Sequence, residues 1–213
     1  MIFEQLAKMK IVPVITLYNT EDAVPLAKAL CESGLPCAEV TFRTDAAADA
    51  IRKMTSAFPQ MLVGAGTILS PAQADCAIAA GAKFLVSPGL NPDTVRHCIK
   101  MNFPFIPGVC TPSEVEQGIS LGLDVLKFFP AEAAGGIAML RAILAPYGAV
   151  RFMPTGGISP KNLPEYLALK NVIACGGSWM VPPNLIEAGN FAEISRLTRE
   201  AVKGAAKCPA TTS

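Results

Sequence analysis

Apolar runs with strand character recur along the chain, separated by segments with helical spacing. The runs are IVPVITL (11–17), CAEVTF (37–42), MLVGAG (61–66), KFLVSP (83–88), FPFIPG (103–108), DVLKFFP (124–130), VRFMPTGG (150–157) and NVIACGG (171–177). Their starts lie 20 to 26 residues apart, room for a strand, a helix and two short turns. Helix-start signals stand between them: Glu21-Asp22 before AVPLAKAL, then Ser70-Pro71, Asn91-Pro92 and Thr111-Pro112. A polar side chain satisfies free N–H groups of the first turn, and proline at the first helical position gives up an N–H that has no partner there. Gly34, Gly81 and Gly122 stand where the preceding helices should stop, the place for a left-handed residue.

Short apolar strands alternating with helices imply a parallel sheet covered on both faces. Eight such units predict an α/β fold, a single (β/α)8 TIM barrel with a short N-terminal helix. The 213 residues fit one domain, expected over 1–207, with 208–213 as a flexible C-terminal tail. No GxGxxG follows the first run, which weighs against a dinucleotide-binding sheet.

Composition narrows the function classes. Hydrophobic residues make up 51% of the chain, yet no stretch of about 18 apolar residues runs uninterrupted, so no membrane-spanning helix is expected. The net charge of +1 is carried by scattered lysines and arginines, which excludes a basic nucleic-acid or membrane-surface patch. The opening segment MIFEQLAKMK lacks the apolar core and cleavage site of a signal peptide. Seven cysteines form no CxxC pair, and an odd number argues against a disulfide framework. A reduced, cytoplasmic protein is the expectation.

Charged residues inside these runs carry the chemistry, because a strand buried on both faces should be nearly all apolar. Glu39, Thr41 and Arg43 alternate with Ala38, Val40 and Phe42. A period of two puts the three polar residues on one face, the barrel interior, with Arg43 nearest the mouth. Lys127 stands between Leu126 and Phe128, and so apolar a run must turn it toward a partner or a function. A Glu39–Lys127 ion pair that merely bridges the barrel floor is one account, though such pairs add little net stability. The other account is chemical. Desolvation favours the neutral amine of a lysine, which attacks a ketone, and an adjacent carboxylate can move the protons of Schiff-base formation.

Two glycine pairs follow the last two runs. Thr155-Gly156-Gly157-Ile158-Ser159 ends the seventh and Gly176-Gly177-Ser178 the eighth. Barrel enzymes frequently bind phosphate with the loops after these strands and a short helix N-terminus, here expected to begin at Ser178 in SWMVPP. Tight turns alone would also use paired glycines. Thr67, after Gly64-Ala65-Gly66, is the hydroxyl best placed to meet a substrate, whereas the Ser87 and Cys110 loops read equally well as turns. The one histidine, His97, falls on a predicted helix away from the strand ends. A surface or packing role suits it, and one histidine cannot build the usual metal site, while a site of carboxylates alone stays open but has no clear cluster behind it. The electrophile is then expected to be organic or an iminium, with no metal and no cofactor.

The motifs EVTFRT (39–44), VGAGT (63–67), SPGL (87–90), IPGVCTPSE (106–114), LKFFPAE (126–132), PTGGIS (154–159) and GGSWMVP (176–182), in this order and spacing, resemble the 2-keto-3-deoxy-6-phosphogluconate (KDPG) aldolase family. The resemblance spans nearly the whole chain. It implies a metal-independent class I lyase, a homotrimer of barrels, that cleaves the 2-keto acid phosphate KDPG to pyruvate and glyceraldehyde 3-phosphate. It also implies 4-hydroxy-2-oxoglutarate as a further substrate. On this resemblance Lys127 is the Schiff-base lysine and Glu39 the general acid/base. Arg43 and Thr67 meet the substrate carboxylate, and Gly156, Gly157, Gly177 and Ser178 meet the phosphate. Cys110 departs from the serine usual in the family. The galactonate-derived epimer as substrate, a barrel isomerase or phosphate synthase, and a non-catalytic phosphosugar-binding barrel are the alternatives.

Overall fold

The computed structural model describes residues 1–208; residues 209–213 of the expected tail lie outside the described residues. Helix α1 (Ile2–Met9) opens the chain, followed by β1 (Ile11–Ile15), α2 (Ala23–Glu32), β2 (Cys37–Thr41), α3 (Ala47–Ala57), β3 (Leu62–Gly66) and α4 (Pro71–Ala79). Next come β4 (Leu85–Val86), α5 (Pro92–Lys100), β5 (Phe105–Ile106), β6 (Gly108–Val109), α6 (Pro112–Ser120), β7 (Val125–Phe128) and α7 (Gly136–Leu144). The order closes with β8 (Arg151–Phe152), α8 (Leu163–Leu167), β9 (Cys175–Gly177), α9 (Pro183–Glu187) and α10 (Phe191–Ala206).

Three of the four expected helix starts are built by the expected side chains, while Asp22 makes no capping hydrogen bond at α2. Ser70 accepts from the Gln73 N–H and Asn91 from the Asp93 N–H. Thr111 and Glu114 cap each other's N–H groups reciprocally, the arrangement that satisfies two unpaired donors at once. Ahead of α2, Asn19 caps a single 3₁₀ turn over Thr20–Asp22.

All strand pairings are parallel. They form a six-stranded sheet in the order β5-β4-β3-β2-β1-β9 and a three-stranded sheet in the order β6-β7-β8. The fifth apolar run departs from the single strand expected of it. Pro107 divides it, so that Phe105–Ile106 pairs with β4 while Gly108–Val109 pairs with β7. Proline has no N–H to give a ladder, although its carbonyl still accepts from the Lys127 N–H at 2.9 Å. Isolated parallel bridges, Phe152 to Val172 and Thr155 to Gly176, tie the β8 segment to the one that leads into β9.

Two apolar clusters hold the layers. The larger packs strand residues such as Ile15, Val40, Ala65 and Phe128 against Leu26, Leu30, Ile51 and Leu140 of the helices. The smaller gathers Val12, Cys37, Leu62, Phe84, Val86, Ile106, Val125, Met153 and Ile173, with Leu6 of α1 among them. Helix α1 thereby lies against the first residues of several strands. No helix among the described residues is long and apolar enough to cross a membrane.

Candidate active site

Glu39 stands mid-strand in β2, in register with Val14 of β1 and Gly64 of β3. Lys127 is in β7, in register with Gly108 of β6. The two are 88 residues apart in sequence, and the Lys127 Nζ donates to Glu39 Oε1 at 3.4 Å. Both are buried, Lys127 at 5% exposure and Glu39 at 1%. As a structural ion pair the contact is poorly made. Its one hydrogen bond is long, and Glu39 Oε2 has no partner among the described residues. The Phe129 ring lies 5.1 Å from Nζ, a cation–π distance. Buried charges kept only for stability normally have their remaining donors and acceptors satisfied. A half-satisfied buried lysine beside a half-satisfied carboxylate is suited to nucleophilic attack and proton transfer.

Gly66, at the end of β3, makes that position available. A Cβ there would fall 2.6 Å from both Glu39 Cδ and Cγ, and closer still to Oε1. The carboxylate occupies the space a side chain at 66 would need. Glycine inside a strand signals this kind of close approach, yet the sequence did not say whose side chain approached. Gly66→Ala is therefore expected to push Glu39 off Lys127 and to lower the melting temperature by roughly 2–12 °C, the overpacking range for a chain of this size. Gly89 has nothing within 4 Å of an added Cβ, and Gly89→Ala should melt with the wild type in the same calorimetric scan. Equal melting of all three proteins would contradict the close contact.

Thr41 continues the Glu39 face and is buried, and its Oγ1 lies 2.9 Å from Thr16 Oγ1 of the segment after β1. Arg43 corrects the expectation of a third strand residue on that face. Strand β2 ends at Thr41, and Arg43 lies in the following turn, exposed. The Phe42 N–H makes the last bond to β3, to the Gly66 carbonyl at 2.7 Å, and the chain turns at Phe42 and Arg43. Arg43 and Thr67 consequently follow the ends of the neighbouring strands β2 and β3. Thr67 is half-buried with φ at 60°, the left-handed region that a β-branched residue adopts only under strain. Such outliers concentrate at functional sites.

The two glycine segments lie side by side. The Thr155–Gly176 bridge joins the loop after β8 to β9, and the Pro13–Gly177 register joins β9 to β1, next to β2. Gly156 and Gly157 have φ of 100° and 80°. Among the described residues the N–H groups of Gly157, Ile158, Ser178 and Trp179 donate to no protein group. The expected short helix from Ser178 is absent: Ser178–Val181 make a single turn and α9 begins only at Pro183. Pro182 and Pro183 account for this, since neither offers an N–H and a residue before proline is pushed out of the helical region. The Trp179 ring packs over Gly177 where a Cβ would collide with it, a contact the sequence reading missed.

His97 is where the sequence put it, on α5, half-buried, with Nε2 2.7 Å from Asp75 Oδ1. Cys110 is half-buried after β6, its N–H donating to Glu114 Oε2 at 2.7 Å. Cys37 lies in the inner cluster, and burial pushes its thiol well above the ordinary range.

Residues 2–197 match the family model described as KDPG and KHG aldolase. The chain belongs to that aldolase family. It is 50% identical over 202 residues to the 2-dehydro-3-deoxy-phosphogluconate aldolase of Treponema pallidum, covering 95% of this chain and 96% of that one. Among solved structures, the KDPG aldolase of Legionella pneumophila, with pyruvate captured at low pH as a covalent carbinolamine intermediate, superposes with a TM-score of 0.91. It is 43% identical and covers 94% of this aldolase and 97% of its own chain. The Zymomonas mobilis 2-keto-3-deoxy-6-phosphogluconate aldolase with 3-phosphoglycerate gives 0.90 at 38% identity, covering 99% and 98%.

Proposed function

We propose that this aldolase reversibly cleaves KDPG to pyruvate and glyceraldehyde 3-phosphate through a Schiff base on Lys127. The observation that carries the reading is the buried, half-satisfied Lys127–Glu39 pair inside the parallel strands β7 and β2, in a chain similar to an enzyme trapped as a pyruvate carbinolamine. Lys127 Nζ adds to the C2 ketone to give a carbinolamine, and loss of water gives the iminium. Glu39 then takes the C4 hydroxyl proton as the C3–C4 bond breaks. The bonding electrons pass into the iminium, leaving the enamine of pyruvate and releasing the aldehyde. Protonation of the enamine carbon and hydrolysis by water return Lys127. Arg43 and Thr67 hold the carboxylate of the keto acid, Arg43 by a charge-assisted hydrogen bond. No metal or cofactor enters this scheme, the iminium itself being the electron sink.

The same reading treats the nine strand segments as one eight-stranded barrel. The inner cluster supports it, because every one of the eight predicted strand runs supplies a residue to it. It also takes the homotrimer implied by the family resemblance as the assembly in solution, where the exposed apolar side chains Ile99, Met101 and Ile119 are surface that self-association can cover. A cytoplasmic location completes the reading.

The phosphate is assigned to Gly156, Gly157, Gly177 and Ser178, whose loops present the unspent N–H groups described above. An anion fits a convergence of backbone N–H groups. Pyruvate release from KDPG, followed with coupled lactate dehydrogenase, tests the activity, and absence of release refutes it. In that assay Ser178→Ala is expected to raise KM for KDPG by about ten- to a hundredfold, the range for one hydrogen bond to a charged group. Pyruvate, which has no phosphate, should still form its Lys127 adduct at the wild-type concentration dependence. An equal loss for both ligands would refute the phosphate assignment.

A further inference from the structure

The phosphate turn is supported from behind by three side chains that the mechanism does not use. Glu132 follows Lys127 by five residues and lies in the loop after β7. Its N–H donates to the Gly156 carbonyl at 3.0 Å, one residue on from the bond between the Ala131 N–H and the Thr155 carbonyl at 2.8 Å. Gly157 backs directly on the Glu132 stem: a Cβ at 157 would fall 2.6 Å from Glu132 Cβ and Cγ. From the other side, Asn162 Nδ2 donates to the Gly157 carbonyl at 3.1 Å, while its Oδ1 accepts from the Ser159 N–H at 2.8 Å. Both glycine carbonyls are thus engaged, and the Gly157 and Ile158 N–H groups remain free to point at a ligand. Two adjacent glycines at positive φ cannot keep this shape by themselves, since glycine readily takes many others.

Glu132 raises an electrostatic problem. A carboxylate whose stem touches the turn would oppose a phosphate dianion bound there. The structure resolves it through Tyr166 of α8. Tyr166 is buried, and its hydroxyl donates to Glu132 Oε1 at 2.5 Å. Burial first, and then this hydrogen bond, raise the phenol above its ordinary range, so it stays a donor. A Cβ at Gly136 would come within 3.2 Å of Oε1 and 3.6 Å of the Tyr166 hydroxyl, so this hydrogen bond is made against the first turn of α7. Glu132 is otherwise exposed, and among the described residues the Tyr166 hydroxyl is the one side-chain group bonded to its carboxylate.

We propose that Glu132, Tyr166 and Asn162 are positioning residues for the phosphate end of the substrate, with Tyr166 holding the Glu132 carboxylate away from the bound phosphate. The proposal rests on the phosphate assignment made above. It predicts that Tyr166→Phe raises KM for KDPG on the order of fivefold, the size of one like-charge contact at about 4 Å screened as in water, as suits the exposed Glu132. Wild-type kcat and wild-type pyruvate trapping at Lys127 are expected alongside. Adding Glu132→Gln removes the freed charge and should return KM to within about twofold of wild type. A misfolded pocket would not be rescued by that second substitution. Asn162→Ala should raise KM for KDPG in the same way but gain nothing from Glu132→Gln, because it loosens the turn rather than freeing a charge.

Ser178→Ala run in parallel separates the two claims. If Ser178→Ala weakens KDPG selectively and Tyr166→Phe does not, the phosphate site stands and the positioning proposal falls. If neither discriminates KDPG from pyruvate, both fall. A Tyr166→Phe enzyme whose weakened KM persists in the double variant also overturns the proposal.

Discussion

Lys127→Ala and Lys127→Arg should both lose KDPG cleavage down to background in the coupled assay, while remaining folded. The arginine variant is the more informative. It keeps a cation beside Glu39, so an ion pair whose only task is to bridge the strands would survive it. A guanidinium stays protonated and forms no iminium, so a nucleophile would not survive. The observed pair favours the second outcome: one 3.4 Å hydrogen bond with Glu39 Oε2 unpartnered is too little satisfaction for a contact maintained for stability alone. Retained turnover in Lys127→Arg would assign the chemistry elsewhere.

Glu39→Gln carries the next largest expected effect. Turnover of KDPG should fall by roughly 10²–10⁴, the usual worth of a positioned acid/base, while pyruvate still yields an adduct on Lys127. The two readouts separate because the amine performs the addition and the carboxylate moves protons in the steps around it. The amide is nearly isosteric, so the space that Gly66 leaves for the carboxylate accepts it without the overpacking expected of Gly66→Ala. Loss of adduct and turnover together would return Glu39 to a structural role.

How far the sequence spoke for itself depended on whether the cause was local. Strand and helix alternation, the caps at Ser70, Asn91 and Thr111, and the turn at the glycine pairs were legible because each is set by residues within a few positions. Glu39 and Lys127 were legible for a different reason: charge inside an apolar strand run requires an explanation wherever the partner is. The misses fall where neighbours in space decide. Pro107 looked like part of one strand, but its missing N–H let the two halves of the run pair with different neighbours. Arg43 continued the alternation on paper, while the strand ends at Thr41 and the chain turns at Phe42 and Arg43. Nothing near Glu132 in sequence announced Tyr166, 34 residues on.

The central claim is that Lys127 is the residue that bonds covalently to the substrate, and borohydride reduction in the presence of pyruvate tests it most directly. Peptide mapping of the reduced enzyme should place a single pyruvyl adduct on the peptide containing Lys127, with matching loss of activity. An active enzyme that traps no pyruvate, or that traps it on another lysine, would contradict the account.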